Sequence, residues 1–443
     1  MNNSDPRDII AQSPMSRLQI VAVGLCVLLN ALDGFDVLAI SFASPGIASD
    51  WGIDKAALGF VLSMELIGMA VGSVVIGNLA DRFGRRPIIL GCLVVMASGM
   101  YLAALAEDVV SLSLIRLFTG FGIGGMLAAT NAMVAEFSNV RRRHLSVAIM
   151  AGGYPVGAII GGSIASMLLA HFDWRAVFLF GAAVTAVFLP FVWLWLPESV
   201  DFLTQKRPAG ALEKINSTLK RMGHAAIAKI PDLKPQEARS GISELFTPGL
   251  ARITLLLIVA YFTHIMTFYY ILKWIPKIVV DMGFVASSAG GVLVWANVGG
   301  ATGALVFSLL TQKFDVRSLV IGALMMACIM VTVFGYAPAD LQNLALLAAC
   351  AGFFTNSAVV GMYAIFAQSF PARVRAGGTG LVIGLGRGGA ALGPIVAGFL
   401  FAAGQSLSVV SVLMAMGSLV AAAALLVLGR RPAEKVTESF KEA

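Results

Sequence analysis

Twelve apolar runs, each about twenty residues or longer, leave this chain one kind of architecture, because a helix needs roughly 20 apolar residues to cross a bilayer. They lie at approximately 18–42, 56–79, 88–106, 110–137, 145–170, 174–196, 251–275, 286–310, 318–337, 341–368, 376–402 and 406–429. The chain of 443 residues is 58% hydrophobic and 12% charged, well below the roughly 25% charge of soluble domains. An all-α membrane protein is expected. The polar arm through Arg17 leads straight into the first run with no cleavable leader pattern, so that helix is read as its own insertion signal. Cys26, Cys92, Cys328 and Cys350 sit in apolar runs at no metal-like spacing, and neither disulfides nor a metal site are expected. No nucleophile triad and no phosphate loop appears, so the chain is not read as an enzyme and calls for no cofactor.

The formal net charge of +7 would suggest nucleic acid in a soluble protein, but here its distribution accounts for it and no nucleic-acid partner is expected. One side of the runs carries Arg7, Arg17, Arg82, Arg85, Arg86, Arg141, Arg142, Arg143, the cations from Lys206 to Arg252, Lys313, Arg317, Arg373, Arg375, Arg430, Arg431, Lys435 and Lys441. The other side has Lys55, Arg175 and Lys277. The crowded side is read as cytoplasmic, and both termini with it. This is the topology of a multi-pass protein of a bacterial inner membrane. Three cations remain within the runs: Arg116, Lys273 and Arg387.

The runs divide six and six around a polar segment, giving halves 1–196 and 251–443 with a linker at 197–250. Gly77-Asn78-Leu79-Ala80-Asp81-Arg82-Phe83-Gly84-Arg85-Arg86 returns as Ser308-Leu309-Leu310-Thr311-Gln312-Lys313-Phe314-Asp315-Val316-Arg317. The stretch from Glu136 to Arg143 returns from Gln368 to Arg375, and Gly152, Gly157 and Gly161 return as Gly384, Gly389 and Gly393. Two parallel six-helix repeats imply a carrier that rocks about a central cavity. In the linker, Ala211, Leu212, Ile215 and Leu219 have helical spacing with Lys214, Lys220 and Arg221 between them. That pattern fits an interfacial helix on the cytoplasmic leaflet and a plain linker helix equally.

The repeat and the first of these loops resemble the major facilitator superfamily over nearly the whole chain. The resemblance implies twelve transmembrane helices in two pseudo-symmetric halves, and a loop that latches the cytoplasmic side closed. The residues carried over are Asp81, Arg82, Arg85 and Arg86, with Glu136, Arg141 and Arg373 as partners in that gate. Asp81 is expected near a helix N-terminus, which favours an anion.

Asp33-Gly34-Phe35-Asp36 places two carboxylates inside the first apolar run. Each costs about 3 kcal/mol at such depth by insertion scales. Their i, i+3 spacing puts both on one helix face, which must look into a protein interior or a water-filled cavity. A desolvated carboxylate can take up and release protons near neutral pH. The segment resembles the Asp-Gly-aromatic-Asp signature of the aromatic acid:proton symporters, and that resemblance implies a small aromatic carboxylate as substrate and protons as the coupled ion. Asp36 is slightly favoured as the principal coupling residue. Arg116, before Gly120 and Gly122 in the fourth run, reaches a similar depth and is expected to pair with these acids across helices one and four, as a loosening pair or a permanent brace.

Arg387, among Gly384, Gly386, Gly388 and Gly389, is the other deep cation. No acid of the C-terminal half matches its depth, so the substrate is expected to bring the negative charge to its planar fork; bonding to backbone carbonyls is the alternative. Its glycines are expected to leave space beside the guanidinium. Tyr154, His264, Tyr269, Trp295, Asn297, Asn356 and Tyr363 stand at mid-depth and suit an aromatic ring with polar substituents, although each alone also fits packing. Lys273 snorkels outward or gathers anions at the mouth. Glu65 has no evident partner. Three rival functions stay open: an aliphatic carboxylate or dicarboxylate symporter, a multidrug:proton exporter, and a non-transporting sensor. Gly153-Tyr154-Pro155-Val156-Gly157 is superficially similar to a drug-antiporter motif, but its proline is misplaced for one. A monomer in contact with membrane lipid is expected.

Overall fold

The protein is described from a computed structural model that covers residues 5–231, 242–371 and 373–429. Arg430, Arg431, Lys435, Lys441 and part of the linker cation run lie outside those residues. The described chain is helical: α1 (Pro6–Gln12), α2 (Arg17–Trp51), α3 (Lys55–Phe83), α4 (Arg85–Ala104), α5 (Val109–Phe137), α6 (Arg143–Leu168), α7 (Arg175–Trp195), α8 (Val200–Lys206), α9 (Ala211–Arg221), α10 (Ala251–Asp281), α11 (Ala286–Leu310), α12 (Val316–Gly335), α13 (Leu341–Ser369), α14 (Arg375–Ala402) and α15 (Leu407–Leu428). Twelve of these, α2 to α7 and α10 to α15, are long and apolar enough to cross a membrane. Several starts are set by side-chain caps, which satisfy otherwise orphaned backbone N–H groups. Asp108 accepts from Val110 and Ser111 at α5, Asp315 from Ser318 at α12, and Asp340 from Asn343 at α13.

Two spans run beyond their sequence limits, both through a proline. A proline within a helix costs about 3 kcal/mol in isolation, so apolar patterning alone ends the first span near 42 and the seventh near 275. Instead α2 continues through Pro45 to Trp51, and α10 through Pro276 to Asp281. Packing holds these turns. Gly46 lies against the Trp174 ring, whose indole N–H donates to Asp50 at 2.8 Å. Trp274 is buried and donates to the Pro394 carbonyl at 3.1 Å.

The chain forms two compact units. The first holds residues through Ala39, Gly68–Gly161 and Arg175–Gln236. Within it α4 packs on α5 and α7. The backbones of α2 and α6 approach closely along a glycine row: Gly34 abuts the Tyr154 carbonyl, and Gly157 the Ala31 carbonyl, where any Cβ would clash. The linker helix α9 packs on α8 with Ala211, Ile215 and Leu219 buried and Lys214 and Lys220 exposed. Its apolar face is thus covered by protein, which favours the plain linker helix over one lying on the leaflet.

The second unit holds Ile40–Ile67, Gly162–Trp174 and the chain from Glu237. Here α11 packs on α13, α10 on α14 and α15, and α12 on α13 and α15.

Candidate functional site

The acid face of α2 looks into the first unit's interior. Asp33 is 2% exposed and Asp36 fully buried. Neither Asp33 carboxyl oxygen has a hydrogen-bond partner among the described residues. Asp36 Oδ1 lies close to α7, 3.5 Å from where a Cβ on Gly181 would stand. Arg116 comes from α5 as its depth predicted. Its Nη2 donates to the Asp36 backbone carbonyl at 2.9 Å, Nη1 lies 3.0 Å from the Met100 sulfur, and the guanidinium sits 5.4 Å from the Phe178 ring centroid. A fully buried guanidinium is therefore fixed beside a fully buried aspartate, the arrangement in which breaking one charge is costly. Tyr154, half-buried on α6, crosses α2 at Gly34, between the two aspartates.

The second unit carries the other cation. Arg387 stands near the middle of α14, half-buried, with no hydrogen bond or ion pair among the described residues. Tyr261 is buried on α10, with its hydroxyl 2.9 Å from that of Tyr363 on α13, which is 42% exposed. The glycines next to Arg387 serve a different end from the one expected. Gly386 makes room for the Tyr261 ring, and Gly389 for the Phe262 backbone. Only Gly384 of the four faces open space. They bring α14 against α10, the helix that carries Tyr261 and Tyr269.

Several mid-depth polar residues turn out to brace helices. His264 is fully buried; Nε2 donates to the Thr355 carbonyl at 2.9 Å and Nδ1 accepts from Ser418 at 3.0 Å. Both ring nitrogens are engaged, and the side chain ties α10 to α13 and α15. Asn356 donates to the Gly300 carbonyl at 2.7 Å, clamping α13 to α11, and buried Asn297 donates to Leu293 of its own helix at 2.9 Å. Trp295 is 54% exposed on α11 and Tyr269 half-buried. A His264→Ala variant is expected to lose about 1–2 kcal/mol, the range of a strong interhelical hydrogen bond. Its thermal midpoint in detergent should fall, while KM of the folded fraction stays within about twofold.

Lys273 does not snorkel to the surface. It is fully buried, 3.5 Å from the equally buried Glu65. A charge pair linking α3 to α10 explains both residues and overturns the surface reading of the lysine.

At the α3–α4 loop, Asp81 lies in the last turn of α3, not at an N-terminus. Its carboxylate pairs with Arg85 at 2.9 Å. The anion at the start of α4 is Glu198, which accepts from the backbone N–H of Arg85 at 2.9 Å and Arg86 at 3.4 Å. Arg85 also binds Glu136 at 3.0 Å and the Ala80 carbonyl at 2.8 Å, while Ser199 donates to Glu136. Arg86 reaches the Trp193 carbonyl and ring. Arg82 lies over the Phe83 ring at 5.5 Å, and Arg141 is exposed. In the second unit Arg373 pairs with Glu244 of the short 3-10 helix Ile242–Phe246. Burial raises the Glu198 carboxyl above its ordinary 4.5, against its backbone hydrogen bonds. Because the folded state then binds the proton more tightly, the stability this group confers is full below about 4.5 and is lost as pH climbs through the raised value. Glu198→Gln is expected to flatten that part of the pH–Tm profile, measured in detergent.

The residues missed from sequence have recognisable signals in retrospect. Tyr261 repeats the α10 face of Tyr269 at i, i+8, and Glu198 follows Pro197 directly after the sixth span.

A sequence model described as the Major Facilitator Superfamily matches residues 26–302 and 281–443. This chain belongs to the Major Facilitator Superfamily. Among superfamily members it is 31% identical over 420 residues to the 3-(3-hydroxy-phenyl)propionate transporter of Escherichia coli, covering 95% of this chain and 96% of that one. It is 30% identical over 394 residues to the 4-hydroxybenzoate transporter PcaK of Pseudomonas putida, covering 88% of each. The fold is similar to that of a bacterial homologue of the human lysosomal transporter Spinster in an inward-facing, occupied conformation. There the TM-score is 0.72, with 15% identity over 94% of this chain and 97% of the other. As a superfamily member of twelve spans, the chain is a multi-pass membrane transporter and not an enzyme.

Proposed function

We propose that this transporter imports small hydroxylated aromatic carboxylates together with protons by alternating access. The observation that carries the substrate class is Arg387: a guanidinium at mid-helix with no ion-pair partner among the described residues, on α14, which packs on α10, the helix of Tyr261 and Tyr269, with Tyr261 bonded to Tyr363. A planar fork suits a carboxylate, and tyrosine rings offer stacking and edge contacts to an aromatic ring. The two full-length relatives support the same class, since both are transporters of hydroxylated aromatic acids by name.

Asp33 and Asp36 carry the proton in this reading. The Arg116 guanidinium, held at the Asp36 backbone carbonyl whatever the carboxyl's protonation, is the fixed cation beside which the proton is taken up and released. The Arg85–Glu136–Asp81 cluster and the Arg373–Glu244 pair act as cytoplasmic gates, both termini are cytoplasmic, and the carrier works as a monomer.

The substrate class is tested by counterflow of labelled 4-hydroxybenzoate in proteoliposomes. Benzoates are expected to compete, whereas short dicarboxylates and the neutral 4-hydroxybenzamide are not. Competition by aliphatic acids in place of benzoates would move the substrate class to aliphatic carboxylates and leave the carrier fold intact.

A further inference from the structure

Glu65 of α3 and Lys273 of α10 form a buried charge pair that neither the proton step nor Arg387 uses. Nζ lies 3.5 Å from Oε2, and both side chains are fully buried. A second bridge of opposite polarity joins the same two helices: Lys55 of α3 meets Asp281 of α10 at 2.9 Å, and Asp281 also takes Lys277. The two helices therefore run antiparallel here, with a surface bridge at one level and a buried one deeper. Beside the surface bridge opens a cavity of about 460 Å³ whose lining includes Asp54, Lys55, Leu58 and Lys277. Lys277 is one turn from Lys273 on the same face of α10. Tyr269 is one turn deeper, and Tyr261 two turns deeper again but rotated about 160° round the axis from Lys277. The lysine at the cavity and the buried lysine thus follow one another on one stripe of α10.

We propose that Lys273 is an entry site for the substrate carboxylate, with Glu65 as the resident counter-ion that the incoming acid displaces. The inference rests on the carboxylate reading above. Lys273 already holds a carboxylate, and that carboxylate belongs to another helix. Burying both charges is costly, and their attraction repays the cost only while they remain paired. When α3 and α10 part, Glu65 is carried away from Lys273, and a substrate anion arriving by way of Lys277 supplies the same chemical group. Glu65 is a positioning residue that keeps the cation occupied until substrate replaces it. Arg387 of α14, which packs on α10, then receives the carboxylate.

The test is external KM for labelled 4-hydroxybenzoate in proteoliposomes, for wild type, Lys273→Gln, Glu65→Gln and the double variant, each checked for folding by a thermal melt in detergent. Lys273→Gln is expected to raise KM about tenfold or more, the effect of losing one charge-assisted hydrogen bond. Glu65→Gln removes the resident competitor and lowers KM. The double variant follows Lys273→Gln, because Glu65 acts through the lysine. A pair that merely braces α3 against α10 predicts the opposite for the double variant: no uncompensated charge remains, and KM returns to the wild-type value. That return, or an unchanged KM in Lys273→Gln, overturns the proposal. Should Lys273→Gln fail to fold, the double variant decides alone, a raised KM supporting the entry site and a wild-type KM refuting it. Absence of any uptake by the wild type refutes the substrate class and this site with it, whereas normal wild-type uptake with an unaffected lysine variant refutes this site alone.

Discussion

Replacing Asp36 with asparagine is expected to abolish proton-driven accumulation while sparing exchange. One pH unit is worth about 1.4 kcal/mol per proton, so a one-unit inside-alkaline gradient drives roughly tenfold accumulation at one proton per substrate. In Asp36→Asn that ratio should fall to about one. Counterflow, which needs only a loaded carrier to reorient, should persist, because an amide is nearly isosteric with the protonated acid and leaves the packing against Gly181 and Arg116 in place. Asp36 takes precedence over Asp33 because Arg116 is anchored at its own carbonyl. The Asp33→Asn/Asp36→Asn double variant is the stricter case. Normal gradient-driven accumulation in that protein would remove the aspartates from the coupling mechanism.

Arg387→Ala is expected to lose the carboxylate anchor. A hydrogen bond to a charged group contributes about 1.5–3 kcal/mol, so KM for 4-hydroxybenzoate should rise roughly ten- to hundredfold. Arg387→Lys should recover part of that loss, since lysine restores the charge without the fork. The measurement is uptake over a wide concentration range, with protein level and thermal midpoint held as controls. Unchanged KM in the alanine variant would favour a substrate without a carboxylate, as the exporter alternative requires.

The fold is legible in the sequence where chain chemistry has a single physical answer. Runs of twenty apolar residues have no other use at this length, and their number and six-plus-six grouping follow directly. Their ends are not legible, because the proline penalty at Pro45 and Pro276 is overridden by contacts to Trp174 and by the packing of Trp274, which no local pattern reports. The deep charges behave similarly. Asp33, Asp36, Arg116 and Arg387 stand out because a charge in an apolar run needs a partner or a purpose; Arg116 does reach α2, but at the backbone carbonyl of Asp36. Which partner meets which charge is another matter. Glu65 and Lys273 each looked isolated in the sequence, since nothing local links α3 to α10. Neutral polar residues were the least legible. His264 and Asn356 have the depth of ligands but satisfy neighbouring helices, as a polar group in a helix interface commonly does. Asp81 does not sit at the helix start expected for it, for a related reason: the anion at the start of α4 is Glu198, which arrives from a distant loop.

The most direct measurement is uptake of labelled 4-hydroxybenzoate into proteoliposomes of the purified wild-type protein, with an inside-alkaline gradient imposed and with none. Proton-coupled import of an aromatic carboxylate predicts accumulation above the external concentration only with the gradient, and its collapse when a protonophore is added. The same internal level with and without the gradient would contradict it.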